Sequence, residues 1–248
     1  MEYKLLKSEK GKSFLLKDFT KDFSTHLGMI RKEDLQNAKS GDIIKTNKGE
    51  KFLVETPNFY DLFKKIKRKA QIITLKDIGA IISNTLVGPQ SFCVDAGSGT
   101  GALCCVLSRY VKKVISYDIR KDHQDIAIAN ANYLGLENIQ FKLGNIFEHE
   151  NINENDVDLL TLDVTTPWEA VKTAEKILKI GGFVTSYSPS ITQNEKFVAT
   201  LNQSKIIEYQ KTIEIIEREW EVEGQRILRP VMRGIMHTGF ISFGKRIR

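Results

Sequence analysis

From about residue 90 onward, short apolar runs alternate with longer amphipathic segments. The runs are Ser91-Phe-Cys-Val-Asp95, Lys113-Val-Ile-Ser-Tyr117, Ile139-Gln-Phe-Lys-Leu143, Val157-Asp-Leu-Leu-Thr-Leu162 and Phe183-Val-Thr-Ser-Tyr187. Helical periodicity fills the gaps at Thr100–Tyr110, Lys121–Leu134 and around Trp168–Leu178. Strands joined through helices run parallel, and runs this apolar must be covered on both faces. The rhythm breaks at the end. Thr212–Val222 and His237–Lys245 are strand-like with no helix between them, so an antiparallel pair should close the sheet. The expectation is an α/β fold built on a mostly parallel, seven-stranded sheet.

The first 60 or so residues read differently. Ser13-Phe-Leu-Leu-Lys17, Asp42-Ile-Ile-Lys45 and Lys51-Phe-Leu-Val-Glu55 are short alternating strands separated by turns, the pattern of a small β-rich module. A basic helix from Phe59 to Lys69 follows, and residues 1–66 and 67–248 are expected as separate domains. With 41% apolar residues and mixed charge, the 248-residue chain can bury a core. No apolar run approaches the roughly 20 residues that span a bilayer. The charged start, Met1-Glu-Tyr-Lys, lacks a signal-peptide core, so a cytoplasmic protein is expected. Cys93, Cys104 and Cys105 have no metal-site spacing and read as buried thiols, and no metal is expected.

Between the first strand and the first helix of the α/β region lies Asp95-Ala-Gly97-Ser-Gly99-Thr-Gly101-Ala102. Glycines let a backbone approach a ligand closely, and in open α/β folds ligands sit at this edge of the sheet. The spacing also fits a dinucleotide fingerprint. A carboxylate two residues before the first glycine, however, repels a pyrophosphate and attracts an ammonium group. That favours S-adenosyl-L-methionine as the cofactor. Asp118 ends the next strand, where an acid accepts hydrogen bonds from ribose hydroxyls, and Asn145 ends the third, placed to meet an adenine edge.

Asp163 ends the fourth strand on the same edge, followed by Pro167-Trp168. Two readings compete: a helix cap beside a core tryptophan, or a catalytic carboxylate beside an aromatic platform for a base. A lone carboxylate suits methylation of a ring nitrogen. Accepting a hydrogen bond from adenine N6–H would push electron density toward N1 and stabilise the positive charge that arrives with the methyl group.

Taken in order, these segments resemble the tRNA adenine-N1 methyltransferases that modify T-loop position 58, and in archaea also 57. The resemblance runs through Thr25-His-Leu-Gly28, Lys67-Arg-Lys-Ala-Gln71, Asp95–Leu103, Ser116-Tyr-Asp-Ile-Arg120 with His123, Asp163 with Pro167-Trp168, Tyr187-Ser-Pro189 with Gln193, and His237-Thr-Gly-Phe240. It implies a Rossmann-like class I methyltransferase core, Asp163 as the catalytic residue, and cofactor contacts from Gln71, Asp95, Gly97, Gly99, Thr100, Gly101, Ala102, Leu103, Asp118, His123, Asn145 and Asp163. It also implies a homotetramer. Three positions depart from the family's pattern: Thr165 for a proline, Asn145 for an aspartate and Met236 for a glycine.

A net charge of +6 fits a polyanionic partner or simply a solvated, Lys-rich surface, and with the resemblance the first is favoured. Lys64, Lys65, Lys67, Arg68 and Lys69, with Arg226, Arg229 and Arg233, are the expected tRNA phosphate contacts. A non-catalytic tRNA-binding subunit, or an enzyme of this fold acting on a protein or small molecule, are the alternatives.

Overall fold

The computed structural model describes residues 3–69, 71–224, 226–232, 234 and 236–248. Arg233 therefore lies outside the described residues. Backbone contacts divide the chain into two compact units, Met1–Ile66 and Lys67–Arg248.

In the first unit, β1 (Lys4–Ser8), β2 (Ser13–Leu16), β3 (Phe23–Thr25), β4 (Gly28–Ile30), α1 (Lys32–Asn37), β5 (Ile43–Lys45), β6 (Lys51–Glu55) and α2 (Phe59–Phe63) follow in sequence. Four strands form an antiparallel sheet in the order β2-β1-β6-β5, and β3 pairs with β4. The alternation seen in Lys51–Glu55 is real: Phe52 and Val54 point into a core with Leu6, Leu16, Ile30 and Leu35. The expected basic helix is shorter than its sequence suggested. Asn58 and Asp61 form a reciprocal capping box at its start, but the helix stops at Phe63. Lys64 and Lys65 lie in the turn beyond it, where Lys64 Nζ sits 4.0 Å from the Tyr60 ring centre.

The second unit comprises α3 (Leu75–Thr85), β7 (Phe92–Ala96), α4 (Ala102–Leu107), β8 (Lys113–Asp118), α5 (Lys121–Tyr133), β9 (Ile139–Leu143), β10 (Val157–Leu162), α6 (Val171–Ile177), β11 (Leu178–Ser188), α7 (Ile191–Gln203), β12 (Ile207–Glu214), β13 (Trp220–Glu223), β14 (Ile227–Pro230) and β15 (Phe240–Arg246). Among the described residues seven strands form one sheet, ordered β12-β15-β11-β10-β7-β8-β9. The pairs from β11 to β9 are parallel, whereas β15 runs antiparallel to both β11 and β12. This is the expected sheet with its antiparallel C-terminal pair. Val94, Ile115, Leu160 and Val184 are buried across its middle, and all three cysteines are fully buried.

Two local expectations need correction. The Trp168 helix begins as a 3₁₀ turn, Pro167–Ala170, before α6. The segment between β12 and β15 is also more than a loop. It carries the β13–β14 hairpin, with Trp220 opposite Pro230 and Val222 opposite Leu228, so the expected strand Thr212–Val222 is split: β12 ends at Glu214, and Trp220–Val222 belong to the hairpin. Trp220, Val222 and Leu228 are exposed, so the hairpin buries too little apolar surface to print a clear in–out pattern in the sequence.

Candidate active site

Close approach of two strand ends builds the centre of the site. Gly97 has φ +93°, and a Cβ there would lie 2.1 Å from the carbonyl oxygen of Asp163. The Asp163 N–H in turn donates to the Ala96 carbonyl at 2.9 Å. Only glycine fits, because any side chain would push β10's exit away from the loop. Gly101, at φ +80°, opens α4 with its Cα facing Ala127 of α5, where a Cβ would come within 3.1 Å. The loop is braced from below as well. Gly97 and Ser98 donate to the Tyr117 carbonyl, and Gly99 N–H donates to Asp118 Oδ2 at 3.0 Å.

A cavity of about 360 Å³ opens over this edge of the sheet, above the ends of β10, β7, β8 and β9. Of the residues expected to meet a cofactor, Gln71, Gly97, Gly99, Asp118, His123, Asn145 and Asp163 line it, with Ile119 and Phe147 adding apolar walls. Asp118 already accepts from Gly99 and Arg120 backbone N–H groups, one on each oxygen, which fixes the carboxylate and leaves a lone pair on each. His123, one turn into α5, has Nδ1 4.0 Å from Asp118 Oδ2.

Other expected contacts sit deeper. Thr100 is buried in the loop before α4, and Ala102 and Leu103 are buried in its first turn. Asp95, expected to draw a ligand ammonium to itself, is 1% exposed and lies within the sheet. Its oxygens accept from the Ser116 and Thr161 hydroxyls at 2.7 and 2.8 Å, and burial pushes its carboxyl up to about 6. Its side chain is therefore engaged by the neighbouring strands rather than turned to the cavity. Asn145 is also partly committed: Oδ1 accepts the Phe147 N–H at 3.0 Å, so its amide offers a new donor where an aspartate would offer only acceptors.

The structure excludes one of the two readings of Asp163. The turn that follows starts at Pro167, with Thr166 in the capping position, so Asp163 is not its cap. Among the described residues its carboxylate accepts no hydrogen bond. Burial, then the charges of Asp95 and Asp118, raise it to about 7. Three carboxyl groups around one glycine loop suit a ligand that carries positive charge, and a pyrophosphate would be repelled.

Beyond Asp163, Gln193 of α7 donates to the Thr165 carbonyl at 2.9 Å and holds the loop that lacks a proline there. Trp168 is half-buried and its face carries the Lys196 ammonium 5.0 Å away, so it is less open as a stacking platform than its sequence position suggested. Sequence reasoning missed a buried staple nearby. Lys76 Nζ donates to Asp77 Oδ1, the Ile215 carbonyl and the Thr238 hydroxyl, all within 2.8 Å, while Tyr187 donates to the Thr238 carbonyl. Asp77 is fully buried, and a Lys-Asp pair at a helix start was the only trace in the sequence.

Lys67, Arg68 and Arg226 are exposed. Lys69 is instead paired with Asp122, and Arg229 with Glu221 across the hairpin.

Residues 51–239 match the family described as the tRNA methyltransferase complex GCD14 subunit. The chain is 34% identical to the tRNA (adenine(57)-N(1)/adenine(58)-N(1))-methyltransferase TrmI of Methanocaldococcus jannaschii, over 98% of this chain and 94% of that one. It is 31% identical to the tRNA (adenine(58)-N(1))-methyltransferase TrmI of Thermus thermophilus, over 96% and 94%. Among solved structures, a SAM-dependent O-methyltransferase from Thermotoga maritima superposes with a TM-score of 0.89 at 31% identity, covering 100% of this chain and 93% of that one. The tRNA (m1A58) methyltransferase TrmI of Aquifex aeolicus gives 0.83 at 22% identity, covering 100% and 97%, and so shares the fold.

Proposed function

The chain belongs to the tRNA methyltransferase complex GCD14 subunit family, and from that premise we propose that it transfers a methyl group from S-adenosyl-L-methionine to N1 of an adenine in the T-loop of tRNA. The observation that carries the reading is the Asp163 carboxylate, without a hydrogen-bond partner among the described residues, on the wall of the glycine-loop cavity. The donor set fits that cofactor. Asp118 would hold the ribose hydroxyls, Asn145 would meet the adenine edge, and Gly97 and Gly99 would let the methionine portion lie against the backbone, with Gln71 and His123 beside it.

The bound cofactor supplies an electrophilic methyl group on a cationic sulfur. The chain's own part is to orient and to compensate charge. Asp163 accepts a hydrogen bond from the target's N6–H, which makes N1 a better nucleophile. As the N1–C bond forms and the C–S bond breaks, positive charge moves onto the base, and the carboxylate stabilises it there. The target base must leave the folded tRNA elbow to reach this position.

For the RNA, Lys64, Lys65, Lys67, Arg68 and Arg226 are the phosphate contacts this reading uses. Lys69 and Arg229 are assigned to their pairs within the chain. A tetramer of identical chains is part of the reading. The exposed apolar side chains of Trp220, Val222 and Leu228 support it, because assembly would cover them.

The test is incubation with labelled S-adenosyl-L-methionine and unmodified tRNA transcript, followed by mapping of reverse-transcription stops. Label at 57, 58 or both is expected. Label absent from tRNA but present in a small-molecule or protein acceptor would favour an enzyme of this fold with another substrate. Tight tRNA binding without label would favour a non-catalytic subunit.

A further inference from the structure

Asn130 lies on the buried face of α5, 2% exposed, in a row with Gln124, Ala127 and Ala131. Leaving the donors of a buried amide bare is costly, and on this face Gln124 Nε2 has no hydrogen-bond partner among the described residues whereas Asn130 is fully engaged. Asn130 makes three hydrogen bonds. Oδ1 accepts the Lys67 N–H at 2.9 Å, Nδ2 donates to the Lys67 carbonyl at 2.9 Å, and Nδ2 also donates to the Thr100 carbonyl at 2.8 Å. One side chain therefore joins the glycine loop, at the residue before Gly101, to the peptide group of Lys67.

Lys69, two residues after Lys67, lies beside the cavity wall. Lys69 pairs with Asp122 in the first turn of α5, and Asp122 is also held by the guanidinium of Arg120, a residue of the cavity wall. Two residues beyond Lys69, Gln71 lines the cavity itself. No regular helix or strand holds Lys67–Lys69. Its position rests on side-chain anchors, and Asn130 is the buried one, whereas the Lys69–Asp122 pair is exposed and so contributes little.

We propose that Asn130 is a positioning residue for cofactor binding: it ties Lys67 to the glycine loop and thereby places Gln71 against the ligand. The inference rests on the reading of this cavity as the S-adenosyl-L-methionine site. It goes beyond that reading by giving a role to a residue that touches neither cofactor nor substrate. Asn130 anchors Lys67, and its effect on the ligand passes through Gln71.

The experiment measures S-adenosyl-L-methionine binding by calorimetry, together with thermal melting, for the full chain and for Asn130→Ala, Asn130→Asp, Gln71→Ala and the two double variants. Asn130→Asp keeps the shape and the acceptor for the Lys67 N–H but removes both donors, so it reports on the anchor even where the alanine variant folds poorly. Each Asn130 variant should weaken binding about tenfold, and the same replacement in the Gln71→Ala background should weaken it less than threefold, because residues acting in series are not additive. A lowered melting temperature with unchanged affinity would assign Asn130 to stability alone and overturn the proposal. So would an equal loss of affinity with and without Gln71. Absence of binding by the unsubstituted chain would overturn the cavity's assignment along with it. Binding by that chain, with no effect of Asn130, would overturn only this inference.

Discussion

Replacing Asp163 with asparagine should make the protein more stable and less able to hold its cofactor, and both effects follow from one carboxyl group. In the folded chain that carboxyl is raised from 3.8 to about 7. A folded value above the unfolded one means that ionisation is penalised by folding. The stability contribution is complete below the unfolded value and is lost as pH rises through about 7. Each unit corresponds to about 1.4 kcal/mol, so a shift of this size sets a ceiling of about 4 kcal/mol at pH 8. Solvent reaching the partly exposed side chain reduces this to about 1–2 kcal/mol. Asp163→Asn, isosteric and uncharged, should therefore raise the melting temperature at pH 8 by about 2–8 °C, with the gain shrinking toward pH 4. Binding a cationic sulfur reverses the balance, because it favours the ionised form. Affinity of the unsubstituted chain for S-adenosyl-L-methionine should rise with pH up to about 7 and then level off. Every unit by which the cation lowers the carboxyl's pKa adds about a factor of ten to that rise. The neutral thioether S-adenosylhomocysteine should show a smaller rise. Asp95, at about 6, titrates in both proteins, so the difference between them is the quantity that counts. Calorimetric titrations from pH 5.5 to 8.5 measure it. Identical pH profiles for Asp163→Asn and the unsubstituted chain, with identical melting temperatures, would refute the environment assigned to this carboxylate.

Turnover on tRNA by Asp163→Ala should fall by orders of magnitude while the protein stays folded, and activity near that of the unsubstituted chain would refute its catalytic role. Gly97→Ala forces a side chain to φ +93° and sets its Cβ against the Asp163 carbonyl. The backbone strain alone is worth about 1–3 kcal/mol, so urea unfolding should show at least that loss, together with lost cofactor binding; native stability would contradict the geometry. Lys76→Ala leaves Asp77 fully buried without its ion pair, and should cost about 3–5 kcal/mol in the same assay; a loss below about 1 kcal/mol would show that the pair is not the staple described. Neutralising Lys64, Lys65 and Lys67 should lower the slope of log affinity for tRNA against log salt by about 2–3, and an unchanged slope would remove these cations from the RNA interface.

The pattern of the chain alone determined the class of fold and pointed to a ligand loop. Apolar runs spaced by amphipathic helices can close only as a covered parallel sheet, and the glycines of Asp95–Gly101 follow a strand and open a helix, as a ligand loop must. These are local facts, carried by residues a few positions apart. What the sequence left open depends on residues far apart that meet only after folding. Asp163 read equally as a helix cap until β10 was seen to end against Gly97, with its carboxylate clear of the turn at Pro167. Asp95 was legible as an acid beside a ligand loop, but Ser116 and Thr161 on neighbouring strands decide that it points into the sheet. The Phe59–Lys69 helix was overextended because charge periodicity continues past Phe63, where the helix ends. Lys69 and Arg229 looked like the other cations, and their partners Asp122 and Glu221 separate them. Sequence pattern records which face of an element is buried. Tertiary structure decides which buried or charged group each side chain meets, because that pairing is set by long-range packing rather than by the residue's neighbours in the chain.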